Sequence, residues 1–180
     1  MTPTQQDGSF QTIDGTPALH FERRLSHPVE TVWRAVTEPA GLAHWFPAQV
    51  TVDLRPGGAM RFVFVDHDEL PSGDGEVLAL EEQRLFAFTW GPSRFLIELE
   101  PQDDGAACLL RFTHFLDERD AAARDMAGWH VCFNRMEEYL GGDDTGAPSN
   151  EPDNEWRSLY EQYVDRGVPS GAAVPGEALG

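Results

Sequence analysis

A series of six short segments with alternating apolar residues constrains the fold of this chain more than any other feature. Alternation with a period of two residues is typical of β-strands that bury one face, and the turn signals between these segments favour an antiparallel meander. The segments cover residues 50–54, 60–65, 76–80, 85–90, 95–100 and 107–115. Between 119 and 140, apolar residues recur every three or four positions, which predicts a long helix packed on the sheet.

A strand and two short helices are predicted before this meander. Residues 18–25 alternate as a strand, and the next segment begins with Pro28, which suits the first position of a helix. Pro39 ends that helix, and one further short helix follows before Pro47. The predicted order is β-αα-β6-α, an α+β fold in which a curved antiparallel sheet is closed by a long C-terminal helix.

The remaining segments differ in composition and set the expected domain organisation. We expect a flexible N-terminal arm over 1–16, one domain over 17–142 and an acidic linker over 143–154, where almost nothing can be buried. Residues 155–166 carry an apolar and aromatic stripe at helical spacing, so we expect an amphipathic helix docked on the domain. We expect residues 167–180 to form a disordered tail.

The charge of the chain excludes several classes of function. The 31 acidic residues outnumber the 13 basic ones, all arginines, and the net charge of −18 repels the phosphate backbone of nucleic acids. No apolar run approaches the ~20 residues that a membrane-spanning helix needs, and the N-terminus does not resemble a secretory signal. We therefore predict a cytoplasmic protein without membrane insertion or nucleic-acid partners. The oligomeric state stays open.

Several sequence segments resemble those of a known family. They are HPVETVWRAVTEPAGLAHWF, RPGGAMRFVF, GEVLALEEQRLFAFTW, LRFTHF and AGWHVCFNRMEEYL, in that order within 17–142. Taken together they are similar to the bacterial relatives of the C-terminal domain of the heat-shock-protein-90 ATPase activator. That family belongs to the START/SRPBCC superfamily, so the resemblance implies a helix-grip fold. The superfamily includes lipid and sterol carriers, hormone receptors, polyketide cyclases and regulatory partners of other proteins.

Aromatic residues are predicted to converge between the sheet and the long helix. The candidate lining residues are Trp45, Phe46, Phe62, Phe64, Phe88, Trp90, Phe95, Ile97, Phe112, His114, Trp129, His130 and Phe133. If the helix stands off the sheet, these side chains line a cavity for a flat hydrophobic ligand, and if it lies close they form the core. The resemblance favours the cavity, whereas the pattern alone does not decide between the two.

His114 and His130 are the polar groups expected to face this interior. Each imidazole could orient a ligand hydroxyl or act as an acid or base, or it could be a hydrogen-bonded core residue that joins the helix to the last strand. No serine or cysteine has a clear nucleophile arrangement with them, so we predict no catalytic residues. Cys108 and Cys132 are expected to be buried, unreactive thiols.

The acidic segment 66–69, together with Asp74 and Glu76, carries oxygen and imidazole groups that could ligate a divalent cation. It lies at a predicted hairpin tip, where solvated acids are expected, and its spacing fits no EF-hand, so we predict neither a metal nor another cofactor.

Three functions follow from these observations. The first is binding of a small hydrophobic or amphipathic molecule, without catalysis, in a cavity between the sheet and the C-terminal helix. The second is a protein-interaction module of the chaperone-ATPase co-regulator type, in which the 155–166 helix contacts a protein partner. The third is a cyclase- or dehydratase-like enzyme, which would need a second acid or base beside the histidines.

Overall fold

The computed structural model describes residues 7–64, 73–145 and 153–174. Its strands are β1 (Ser9–Ile13), β2 (Thr16–Leu25), β3 (Gln49–Val52), β4 (Ala59–Val63), β5 (Gly73–Glu81), β6 (Leu85–Trp90), β7 (Ser93–Gln102) and β8 (Ala107–Phe115). Its helices are α1 (Val29–Thr37), α2 (Pro39–Leu42), α3 (Ala122–Leu140) and α4 (Asn154–Asp165). None of the helices in this part of the chain is long and apolar enough to span a membrane.

All eight strands form one antiparallel sheet in the order β1-β2-β8-β7-β6-β5-β4-β3. Strands β3 to β8 pair in sequence order, and β2 closes the series by pairing with β8, which brings the start of the domain beside its last strand. The long helix α3 packs on the concave face, where the alternating apolar side chains meet. This is the α+β helix-grip arrangement that the sequence predicts.

Residues 9–13 form a strand, whereas the sequence analysis assigns them to a flexible arm. β1 pairs with β2 through a two-residue turn, Asp14-Gly15, in which both residues have positive φ angles of 49° and 80°. An Asp-Gly pair between two strands is a strong hairpin signal, because its backbone twist matches that of the flanking strands. Pairing with β2 therefore orders a segment that has too few apolar residues to fold by burial alone.

Two expectations about side chains and termini are also corrected. The alternation over residues 50–54 predicts that Leu54 points inward with Val50 and Val52, but β3 ends at Val52 and Leu54 is 39% exposed. Residues 167–174 were assigned to a disordered tail, yet the Pro169 carbonyl accepts a hydrogen bond from the Ala123 amide at the start of α3 (2.9 Å). The first N–H groups of a helix have no acceptor within the helix, so the hydrogen bond to the Pro169 carbonyl stabilises both the helix start and the segment after α4.

Candidate functional site

The concave face of the sheet and the inner face of α3 enclose a cluster of aromatic rings. Eleven of the thirteen candidate lining residues are buried, and Phe64 and Trp90 are half-buried: the buried ones are Trp45, Phe46, Phe62, Phe88, Phe95, Ile97, Phe112, His114, Trp129, His130 and Phe133. Strand alternation places them there, since residues two apart on one strand share a face. Phe88 and Trp90 on β6 illustrate this, as do Phe112 and His114 on β8.

The rings pack against one another in the described structure. Centroid separations of 5.0 Å between Phe112 and Phe133, 4.8 Å between Phe112 and Trp129, and 5.1 Å between Phe88 and Phe95 are those of direct ring contact. A ligand-sized chamber at this place therefore requires rings to move, and the cavity stays a prediction.

Two surface clefts lie outside the aromatic cluster. A cleft of about 390 Å³ runs between α1 and the turn after β5, and one of about 520 Å³ lies beside the turn between β6 and β7. None of the thirteen candidate residues lines either cleft. The aromatic interior and the surface clefts are thus separate features of the molecule.

The ring cluster reaches the surface at one end. From Phe133 it continues to Phe112 (5.0 Å), Phe95 (6.0 Å), Trp90 (6.4 Å) and Phe64 (5.7 Å), measured between successive ring centroids. The first three residues are buried, whereas the last two are half-buried. A continuous aromatic path therefore leads from beneath α3 to the solvent.

Close backbone approach positions the ring at the open end. A Cβ atom on Gly73 would lie 2.3 Å from the Nε1 atom of Trp90, too close for any side chain larger than hydrogen. Glycine at this position of β5 lets the indole lie against the strand, where it stacks on Phe62 with a centroid distance of 4.5 Å.

His114 lies beside the buried middle of this path, stacked on Phe95 with a centroid distance of 4.2 Å. Its Nδ1 atom accepts a hydrogen bond from the indole N–H of Trp129 (3.1 Å). Because an indole only donates, the imidazole proton must be on Nε2, and this buried N–H has no hydrogen-bond partner among the described residues. Burial, reinforced by the positive charge of Arg124, lowers the pKa of His114 to about 3 and keeps the ring neutral.

His130 occupies a different position, on the flank of α3 that faces α4. Its Nδ1 atom shares a hydrogen bond with the Tyr163 hydroxyl (2.7 Å), and this hydroxyl accepts from the Gly8 amide (2.9 Å). Burial, with a contribution from Arg23, lowers the pKa of His130 to about 4. The structure therefore does not bring the two candidate histidines together.

Two residues of this region were not predicted from the sequence as part of the site. Phe21 on β2 is fully buried and its ring lies 5.3 Å from that of Phe133, so it belongs to the cluster. Its place in the alternation of 18–25 was a usable signal. Tyr163 was assigned only to the docking face of its helix, because a hydrogen bond between residues 33 positions apart has no local signature.

The two cysteines and the acidic segment are the remaining candidates for reactive or metal-binding groups. Burial raises the pKa of Cys108 to about 11 and that of Cys132 to about 12, so both remain protonated thiols at neutral pH. Residues 66–69 lie outside the described residues, and the metal hypothesis for them is not tested. Among the residues that are described, no three His, Cys, Asp or Glu side chains are grouped to hold a metal.

Solved structures with the same fold are known from several bacteria. CalU16 from Micromonospora echinospora is 23% identical over 88% of this chain and 94% of its own, with a TM-score of 0.66. EF2215 from Enterococcus faecalis, a conserved protein of unknown function, is 22% identical over 88% and 89%, with a TM-score of 0.68. DynU16, a protein in the dynemicin biosynthetic locus, is 26% identical over 72% of this chain and 49% of its own, with a TM-score of 0.61.

Two comparisons of sequence complete this result. No curated protein matches the chain. The family described as activator of Hsp90 ATPase homolog 1-like protein matches residues 26–141, which include both helices before the meander, strands β3 to β8 and all of α3. Since this match spans well over half of the 180 residues, the chain belongs to the activator of Hsp90 ATPase homolog 1-like family.

Proposed function

We propose that this protein binds a small hydrophobic or amphipathic molecule between the sheet and α3, without catalysing a reaction. The fold is one that ligand-binding and cyclase-like proteins share. The observation that carries the proposal is the continuous path of aromatic rings from buried Phe133 to half-buried Trp90 and Phe64. A flat apolar molecule that enters beside Trp90 would exchange ring–ring contacts for ring–ligand contacts along this path.

Burial of apolar ligand surface supplies the free energy for such binding. A bicyclic aromatic ligand buries ~150–250 Å² of apolar surface, which corresponds to roughly 4–6 kcal/mol of transfer free energy. Displacing packed rings and losing ligand freedom both reduce this value. We therefore expect selective binding of flat molecules, whose faces can replace an existing ring contact.

The chemistry of the site supports binding over catalysis. Asp125, a carboxylate on α3, is held by Arg124 through an ion pair of 2.8 Å. The imidazole of His114 is neutral and has Trp129 as its hydrogen-bond partner, while that of His130 serves the contact with α4. An acid–base pair of the kind that a cyclase needs is not formed by these described groups.

The position of α4 speaks against its use as a free element for a protein partner. Tyr163 on its inner face is 1% exposed and contacts His130 of the same domain. Its aromatic face is thus occupied within the chain, which supports small-molecule binding over the co-regulator alternative.

Titration with a neutral apolar dye tests the proposal. N-phenyl-1-naphthylamine should gain fluorescence on binding, and native mass spectrometry of freshly purified protein should report any copurified small molecule. Trp90→Ala should weaken dye binding, whereas Trp156→Ala, a matched control at a half-buried tryptophan on α4, should leave it unchanged. Absence of dye binding together with absence of a copurified molecule would contradict the proposal, and equal effects of the two variants would place the site elsewhere.

A further inference from the structure

His114 places a hydrogen-bond donor without a partner among the described residues beside the aromatic interior, and this donor bears on the kind of molecule that can bind there. The His114 side chain is 5% exposed, and its Nε2 atom is one of the buried polar atoms without a partner in the described part of the chain. A buried donor that makes no hydrogen bond has lost its contact with water and gained nothing in return. A bound molecule that supplies an acceptor at this atom would restore the missing interaction.

The direction of the remaining donor is set by the hydrogen bond at Nδ1. Trp129 donates to Nδ1, so the proton stays on Nε2 and the imidazole offers a donor and no acceptor to a ligand. The two aromatic neighbours of His114, Phe95 and Trp129, belong to the ring cluster described above. The ring that carries this donor therefore lies among the rings of the same interior.

The surroundings of this donor decide between a neutral and a charged acceptor. Phe95, Phe112 and Trp129 are all buried, and moving an ionised carboxylate among such rings costs far more than moving a carbonyl group. The nearby cation Arg124 is already held by Asp125 and by the carbonyl of Ala173. A neutral carbonyl or ether oxygen fits these surroundings better than an anion.

We infer that the ligand is a flat aromatic or conjugated molecule with a neutral carbonyl-type oxygen, which accepts a hydrogen bond from Nε2 of His114. This inference rests on the proposed function, because it concerns the same interior. It adds what the ring cluster by itself does not specify, namely the polar group of the ligand and the place in the interior, beside His114, where that group lies.

Two probes of nearly equal shape separate this inference from simple apolar binding. 2-Acetylnaphthalene carries a carbonyl oxygen where 2-isopropenylnaphthalene carries a methylene group. The affinity ratio of ketone to hydrocarbon, measured by NMR titration of the full chain, should fall by about tenfold in His114→Phe, the range expected for one hydrogen bond to a buried donor. His114→Gln retains an N–H donor and an acceptor for Trp129, so it should keep most of the preference.

The outcomes are distinguishable. Binding of both probes with the same ratio in the unmodified protein and in His114→Phe overturns the inference and leaves the proposed function standing. Binding of neither probe overturns both. If His114→Phe does not fold, the nitrogen-15 shift of His114 Nε2 in the unmodified protein decides, since it should move with the ketone and stay in place with the hydrocarbon.

Discussion

The two buried histidines, His114 and His130, lie in regions that differ in the hydrogen-bond partners they offer to a polar group. On the flank of α3, His130 joins three parts of the chain, because it is hydrogen-bonded to the Tyr163 hydroxyl, which accepts from the Gly8 amide. In the aromatic interior, His114 has one partner, Trp129, and one buried N–H without any in the described residues. Burial lowers the pKa of both rings. Of the two rings, only His114 has a buried nitrogen without a hydrogen-bond partner in the described residues, and this difference, not burial, separates the structural histidine from the candidate binding one.

The flank is in addition fastened by charged groups, unlike the interior. Arg23 on β2 is 2% exposed and pairs with Glu137 of α3 (2.9 Å), and Arg166 pairs with Asp7 across α4 and the N-terminal segment (2.9 Å). Such pairs fix geometry, since breaking a buried one leaves a charge without compensation. Hydrogen bonds and ion pairs thus fix the flank of α3 to its neighbours, whereas the interior is held by ring contacts that a ligand ring can replace.

The largest expected effect is on the packing of the interior. Trp129→Ala should lower the free energy of unfolding by ~3–5 kcal/mol, because it removes a buried ring that contacts Phe112 and Phe95. Urea unfolding measures this, with Trp156→Ala on α4 as the control that should cost less. A loss well below this range would indicate an interior that is already open without a ligand.

Removal of the Tyr163 hydroxyl should lower the stability of the contact between α3 and α4. Tyr163→Phe keeps the ring but removes the hydrogen bonds to His130 and Gly8, so unfolding free energy should fall by ~1–3 kcal/mol. Tyr160→Phe is the matched control on the same helix, where the ring stacks on Trp156. Proteolysis at Arg157 of α4, and at Arg166 directly after it, should also become faster in Tyr163→Phe. Equal stability of the two variants would show that the Tyr163 hydroxyl does not stabilise the contact between α4, α3 and the N-terminal segment.

Acid should destabilise both regions through their histidines. The folded-state pKa values of about 3 and about 4 lie below the unfolded value near 6.5, so the unfolded chain takes up protons that the folded protein does not. Stability is complete above pH 6.5 and falls as the pH is lowered towards 4. Between pH 6.5 and 5.5 we expect a loss of ~1 kcal/mol for each of the two histidines.

Denaturant unfolding at these two pH values measures the acid effect. In His114→Phe about half of the difference should disappear, because only His130 then contributes. An unchanged difference in that variant would show that His114 is not kept neutral by the fold.

The smallest effect should come from His114→Phe at pH 7. The variant removes the unpartnered Nε2–H but leaves the indole N–H of Trp129 without its acceptor, so one buried donor without a partner replaces another. We expect a change in unfolding free energy below ~1 kcal/mol. Thermal unfolding checks this, and a loss of several kcal/mol would mean that Nε2 has a partner in the resting protein.

Much of the fold followed from patterns within single elements. The alternation on β6 and β8 placed Phe88 and Phe112 on the buried face, and the spacing on α3 placed Trp129 and Phe133 opposite them. These assignments succeed because a strand or helix repeats its geometry every few residues. β1 was missed because the Asp14-Gly15 turn was not used as a hairpin signal.

The features that matter most for function depend on residues far apart in the chain. The sequence by itself determined the element order, the faces that are buried and the net charge of −18. Only the tertiary structure decided that Trp129 uses one nitrogen of His114 and leaves the other without a partner, and that Tyr163 satisfies His130. Local patterns report burial, whereas a hydrogen bond requires two groups to meet at defined distance and angle, which only the folded chain specifies.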